Sequence, residues 1–128
     1  MARGERTIAA ADFFEGFLST SLLWDEVLTQ ITFPAARPAT GASFMEAARR
    51  HGDFAIVGAG TSITMEGEIV TDARVVLIGV AQTALRRSDA ERELIGSSGD
   101  ADSLAAAAAA AAADLEPASD LHGTSAYR

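Results

Sequence analysis

From Phe54 to Met65 the chain reads FAIVGAGTSITM, small and apolar residues with no helical stripe, and this predicts its longest strand. Glu66-Gly67 supplies a tight reversal, after which EIVTDARVVLIGVA returns as one or two further strands. Gly58, Gly60 and Gly79 fall inside this region, where glycine marks a bulge or a close backbone approach. Upstream, Val27 to Phe33 (VLTQITF) alternates well enough for a strand that stops at Pro34. Val27, Thr29, Ile31 and Phe33 share one face of it, and Leu28 stands alone as the apolar residue on the polar face.

Two capping patterns predict helices. Ser43 with Glu46 opens a short one that Gly52 ends, with Phe44, Ala47, Ala48 and His51 on one side and Glu46 spaced to pair with Arg50. Ser88 with Glu91 opens another, running through Leu94 to Gly96. GSSGDADS then reads as a flexible connector, and Asp100 or Asp102 caps an alanine-rich helix that Glu116-Pro117 terminates. Met1 to Ala10 carries no strong periodicity, and the tail ASDLHGTSAYR has no convincing closing element. These elements predict an α+β domain: a small, largely antiparallel sheet with helices packed on one face.

Composition narrows the function classes. The 128 residues suffice for one domain with a real core, and a 48% hydrophobic share argues for a globular chain. A net charge of -8 argues against nucleic acid and against an anionic membrane surface. With no cysteine, disulfides, thiolate metal sites and cysteine nucleophiles are excluded, and the two histidines, His51 and His122, make a multi-histidine metal centre unlikely. No membrane span is expected, because Ala105 to Ala113 is flanked by Asp102 and Asp114 and is far short of the ~18 apolar residues needed. Asp12 and Glu15 interrupt any signal-peptide core, so the expected location is cytoplasmic.

Catalytic motifs are missing. The 18 acids show no distinctive pairing, neither histidine has a nucleophile elbow nearby, and there is no phosphate-binding GxxxxGK[ST]. The GAG at Gly58 to Gly60 precedes more strand and lacks a third glycine, so it is no dinucleotide fingerprint. Phe13, Phe14, Phe17 and Trp24 read as core or interface in preference to a ligand-stacking group. One cluster stands out: Arg49, Arg50, His51 and Asp53 crowd around Gly52. By spacing alone the arginines finish a helix, where they suit the negative end of its dipole, and Asp53 caps the exit.

Five segments in order then carry a resemblance: ADFFEGF, DEVLTQITFP, FMEAARRHGDFAIVG, DARVVLIGVAQTALR and SDLHGTSAYR. Together, from about Ala11 to Arg128, they resemble the flavoprotein (medium) subunit of molybdenum hydroxylases, the group of aerobic carbon monoxide dehydrogenases and xanthine dehydrogenases. The resemblance implies that residues 1–24 are a lead-in or the tail end of a flavin-binding domain. It implies that 25–128 are the C-terminal α+β domain without its last helix. It further implies FAD as cofactor, held mainly by an upstream domain through glycine-rich loops that this sequence does not contain. Leu28 matches a leucine lying against the isoalloxazine, and Arg49, Arg50, Gly52 and Asp53 match an RRxxDxA element near the flavin edge. Leu28, Arg49, Arg50 and Asp53 are therefore the implied cofactor-binding residues. A lysine that relatives place just after the aromatic, or one residue later, is replaced here by Met45 and Glu46.

The implied partners are a molybdenum-binding large subunit, a small subunit with [2Fe–2S] clusters, and an N-terminal flavin-binding half. The implied activity is oxidoreductase: electrons pass from the iron–sulfur clusters through FAD to NAD or another acceptor. The competing expectation is a truncated, non-catalytic partner-binding module that does not hold FAD by itself. A missing closing helix would bare apolar surface on the sheet, so marginal stability or self-association is also expected.

Overall fold

A computed structural model describes residues 4–128. The chain divides into two units, one up to Pro34 and one from Ala35 to Arg128. The first contains α1 (Ala10–Phe13), β1 (Phe14–Gly16) and β2 (Ser19–Thr20), the two strands pairing antiparallel. Phe14, Phe17 and Trp24 are exposed here, so they do not form a core of this unit; the Phe13 and Phe14 rings meet edge to face at 5.0 Å.

The second unit contains β3 (Thr40–Ala47), β4 (Val57–Glu66), β5 (Ile69–Ile78), β6 (Leu85–Arg86), α2 (Ser88–Leu94) and α3 (Ala101–Ala112). The four strands form an antiparallel sheet in the order β3-β4-β5-β6. Ile63 faces Ala73 and Thr61 faces Val75 across β4 and β5, on the side that α2 and α3 cover. Val70, Ala73, Val75, Ala90, Leu94, Ala107 and Ala111 form the core there, with Ile63 and Met65 packed against it. The alanine tract thus has a packing role: small side chains let α3 approach α2 and the sheet closely. The fold is the α+β arrangement expected from the sequence.

The β4–β5 hairpin turns at Gly67, whose φ of +62° suits a residue without Cβ. Strand β4 starts at Val57, three residues later than the apolar run suggests. Asp100 caps α3, its Oδ1 accepting from the Ser103 amide at 2.9 Å. The helix ends at Ala112, before Glu116-Pro117, and Arg87 donates to the Ala110 and Ala113 carbonyls at its C-terminal end. The supposed flexible connector is tied down, because Val70 donates to the Ser97 carbonyl and accepts from the Gly96 amide.

Asp100 titrates at about 2, pulled down first by the Ser98 hydroxyl and then by the Ser103 amide. A lowered carboxyl pKa stabilises the fold fully above the ordinary value of 3.8, and that contribution disappears as pH falls through about 2. Asp100→Ala is therefore expected to lower the thermal midpoint at pH 7, with the gap to wild type closing towards pH 2. Equal midpoints at pH 7 would show that the cap does not matter.

Three further local expectations fail. The residues from Ser43 to Gly52 form no helix, because Thr40–Ala47 instead makes an unbroken eight-pair ladder with β4. Phe44 lies opposite Gly60 and Glu46 opposite Gly58, and a Cβ at Gly58 would stand 3.1 Å from the Met45 carbonyl oxygen of β3. Helix propensity is a weak preference that a complete set of ladder hydrogen bonds overrides. Val27 to Phe33 forms no strand either; an alternating pattern still needs a neighbour for its ladder, and none pairs with it among the described residues. Finally, Glu91 does not complete a capping box. The N-cap position of α2 is Arg87, and the Glu91 carboxylate turns to the Val75 amide and to Arg86.

Candidate functional site

The charged cluster sits where β3 ends and β4 has yet to begin. Asp53 donates its amide to the Arg50 carbonyl at 3.1 Å, closing a turn over His51 and Gly52. Gly52 has a φ of +83°, which a turn of this kind requires at its third position. The Asp53 Oδ1 accepts from the Phe54 amide at 2.9 Å, so this carboxylate fixes the exit of the turn. Gly52 is thus a turn glycine and not a helix terminator, and Glu46 and Arg50 are not one helical turn apart. Arg49, Arg50, His51 and Asp53 are all exposed.

The tail comes to meet this turn. Arg49 donates from Nη2 to the Leu121 carbonyl. Around them Arg49, Ile56, His122, Gly123, Thr124 and Tyr127 line an open cleft of about 360 Å³. Arg128 reaches past it to the carbonyls of Ile56 at 2.9 Å and Gly79 at 2.8 Å. Its other nitrogen pairs with Asp120 at 2.7 Å. Amides from His122 and Gly123 and the Arg128 guanidinium hold the Asp120 carboxyl below the usual carboxylate range. Periodicity and spacing gave the tail no role, and SDLHGTSAYR stood out only as one of the five segments that carry the resemblance.

Leu28 belongs to the first unit, outside any strand or helix, with 47% of its surface exposed. Its neighbour Glu26 is braced by Arg6, which donates from Nε at 2.7 Å and Nη2 at 2.6 Å. The structure therefore brings Arg49, Arg50 and Asp53 together on one turn and leaves Leu28 in the other unit. Met45 and Glu46 are neighbours on β3; Met45 pairs with Ala59 and is exposed. Among the described residues no group of histidines and carboxylates could hold a metal ion. No helix among them is long and apolar enough to cross a membrane.

What the arrangement offers chemically is positive charge on a constrained turn, plus hydrogen-bonding tail backbone beside it.

The chain is similar to known proteins in sequence and fold. The CO dehydrogenase flavoprotein C-terminal domain matches residues 42–128. The carbon monoxide dehydrogenase medium chain of Hydrogenophaga pseudoflava is 38% identical over 125 residues, which cover 98% of this chain and 44% of that protein. The alpha subunit of the 6-hydroxypseudooxynicotine dehydrogenase complex of Paenarthrobacter nicotinovorans is 35% identical over 98% of this chain and 43% of its own length. The solved carbon monoxide dehydrogenase from H. pseudoflava superposes with a TM-score of 0.90 at 38% identity, covering 98% of this chain and 44% of that one. Quinoline 2-oxidoreductase from Pseudomonas putida 86 does so with a TM-score of 0.86 at 37% identity, covering 94% and 42%. The chain spans less than half the length of these relatives. It belongs to the family of the CO dehydrogenase flavoprotein C-terminal domain, found in the medium subunits of molybdenum hydroxylases.

Proposed function

We propose that this chain is the flavin-facing C-terminal portion of a medium subunit, working in an oxidoreductase complex with a molybdenum-binding large subunit and an iron–sulfur small subunit. The observation that carries this reading is the alignment of 98% of the chain, at a TM-score of 0.90, with a carbon monoxide dehydrogenase chain. FAD, if bound, would supply the redox chemistry of an electron relay between iron–sulfur clusters and NAD or another acceptor. We place this complex in the cytoplasm.

The residues present fit part of such a cofactor. Leu28 offers an apolar surface suited to one face of an isoalloxazine, excluding water from it. Arg49 and Arg50 present positive charge that would favour an electron-rich flavin edge, while Asp53 holds the turn that carries them. Among the described residues no glycine-rich loop runs from a strand into a helix N-terminus, the usual partner of a pyrophosphate. FAD would accordingly be held mainly by an N-terminal flavin-binding half. A second reading, a partner-binding module that does not hold FAD by itself, draws support from the open form of the cleft beside Arg49.

The contact residues can be tested by labelling this chain with ¹⁵N and adding a flavin-binding half from a related subunit, once with FAD and once without. The expected result is FAD-dependent shifts at Leu28 and at Arg49 to Asp53, and binding weakened about tenfold, or ~1.4 kcal/mol, by Leu28→Asp. Shifts confined to other parts of the chain would remove these four residues from the site.

A further inference from the structure

Two carbonyls distant in sequence, at Ile56 and Gly79, accept hydrogen bonds from a single guanidinium, that of Arg128. The Arg128 side chain is only 9% exposed and is paired with Asp120. A buried guanidinium is tolerated where its fork of donors meets acceptors in fixed directions, which lysine cannot reproduce. Asp120 in turn fastens the tail into a turn, accepting from the amides of His122 at 2.8 Å and Gly123 at 3.0 Å. Leu121, lying between them, gives its carbonyl to Arg49. Gly123 fits closely over Ile56: a Cβ there would stand 3.0 Å from the Ile56 Cγ2.

The segment from Arg49 to Ile56 is thus fastened to one tail loop at both ends, at Arg49 through Leu121 and at Ile56 through Arg128. None of the fastening residues belongs to the hydrophobic core cluster. Between the two fixed points lies the turn of Arg50, His51, Gly52 and Asp53. We infer that Asp120 and Arg128 form a positioning clamp that fixes where the Arg49–Asp53 turn presents its charge. Both are positioning residues, acting through the Leu121 carbonyl and the Ile56 backbone. The consequence for cofactor binding rests on the flavin reading above; the clamp itself does not.

The test uses the full chain, with Arg128→Met, Asp120→Asn and Arg128→Lys. Amide exchange is followed at Asp53 and Ile56, with Val75 and Ile95 as reporters of the sheet and α2, and the Arg49 side-chain Nε–H resonance is recorded. The clamp predicts about tenfold faster exchange at Asp53 and Ile56 in the first two variants, with the reporters nearly unchanged. It also predicts that the Arg49 resonance moves to the position of a free arginine, and that lysine restores protection only in part. Wild-type protection at Asp53 and Ile56 in both variants overturns the inference. So does equal loss at the reporters in both, which would make the pair a brace of the whole fold. FAD titration of the same variants with a flavin-binding half is scored separately, and about tenfold weaker binding is expected. If wild type binds no FAD, the flavin reading fails, and the exchange data still decide the clamp.

Discussion

Gly79→Ala is expected to lower the unfolding free energy by about 2–4 kcal/mol, one of the two largest single-residue effects we predict. Gly79 follows β5 with a φ of +79°, a region that costs an L-residue energy before any contact is counted. Contacts add to that, because a Cβ there would overlap the Ile56 carbonyl oxygen and lie 3.0 Å from the Ile56 carbonyl carbon. The obstacle is backbone, and that backbone cannot easily yield. The Ile56 amide donates to the Ala47 carbonyl at 2.8 Å, and its carbonyl accepts from Arg128 at 2.9 Å. Gly67→Ala supplies the control, since Gly67 has a φ of +62° and nothing within 4 Å of a Cβ. It should lose only about 1–2 kcal/mol, the conformational part alone. Urea unfolding of both variants separates the two contributions, and equal losses would show that the Ile56 contact is not a constraint.

Glu91→Ala is expected to cost about 3 kcal/mol, slightly more than a neutral buried hydrogen bond would. Glu91 is 5% exposed, and its Oε1 accepts the Val75 amide at 3.0 Å. Strand β6 is only two residues long, so this carboxylate continues the hydrogen bonding of the β5 edge where the strand stops. Arg86 forks onto the same carboxylate, Nε to Oε1 at 2.8 Å and Nη2 to Oε2 at 2.8 Å. Removing the acid leaves a buried amide without its acceptor and an arginine without its partner. Arg86 is half exposed and can turn to water, which keeps the loss at the lower end for a broken buried pair. Glu91→Gln should fall between the two, keeping an acceptor for Val75 but not the charge.

The same group sets an acid limit. Arg86 first, and then the Val75 amide, lower the Glu91 pKa against a desolvation cost that raises it. Because the folded value lies below the unfolded one, its stabilisation is complete above the ordinary carboxylate pKa of about 4.3 and is lost as pH falls through the folded value. Stability measured from pH 7 to pH 2 should therefore drop less in Glu91→Ala than in wild type. Parallel curves would mean that the ion pair contributes nothing.

The parts of the fold that were legible in the sequence are those whose partners are local. The β4–β5 hairpin announced itself through two apolar runs around Glu66-Gly67, and α3 through Asp100 and the alanine tract. Strand β3 was illegible because Met45, Glu46 and Ala47 suit a helix, and only the ladder with β4, a partner distant in sequence, decides otherwise. Val27 to Phe33 shows the reverse error, a strand pattern with no neighbour to pair with. The clamp was hidden for a different reason. Arg128 and Ile56 are 72 positions apart, and no local period connects a terminal arginine to a carbonyl at the start of β4. The charged turn itself was visible as a cluster, although its spacing suggested a helix end and the chain folds it as a glycine turn.

The central claim is that this polypeptide faces a flavin held by another half. A titration with FAD, following the quenching of flavin fluorescence, tests it most directly. It is run on this chain alone, on a flavin-binding half from a related subunit alone, and on the two together. Saturable binding that is markedly tighter in the pair than in either part is expected. Identical binding curves for the flavin half with and without this chain would contradict it.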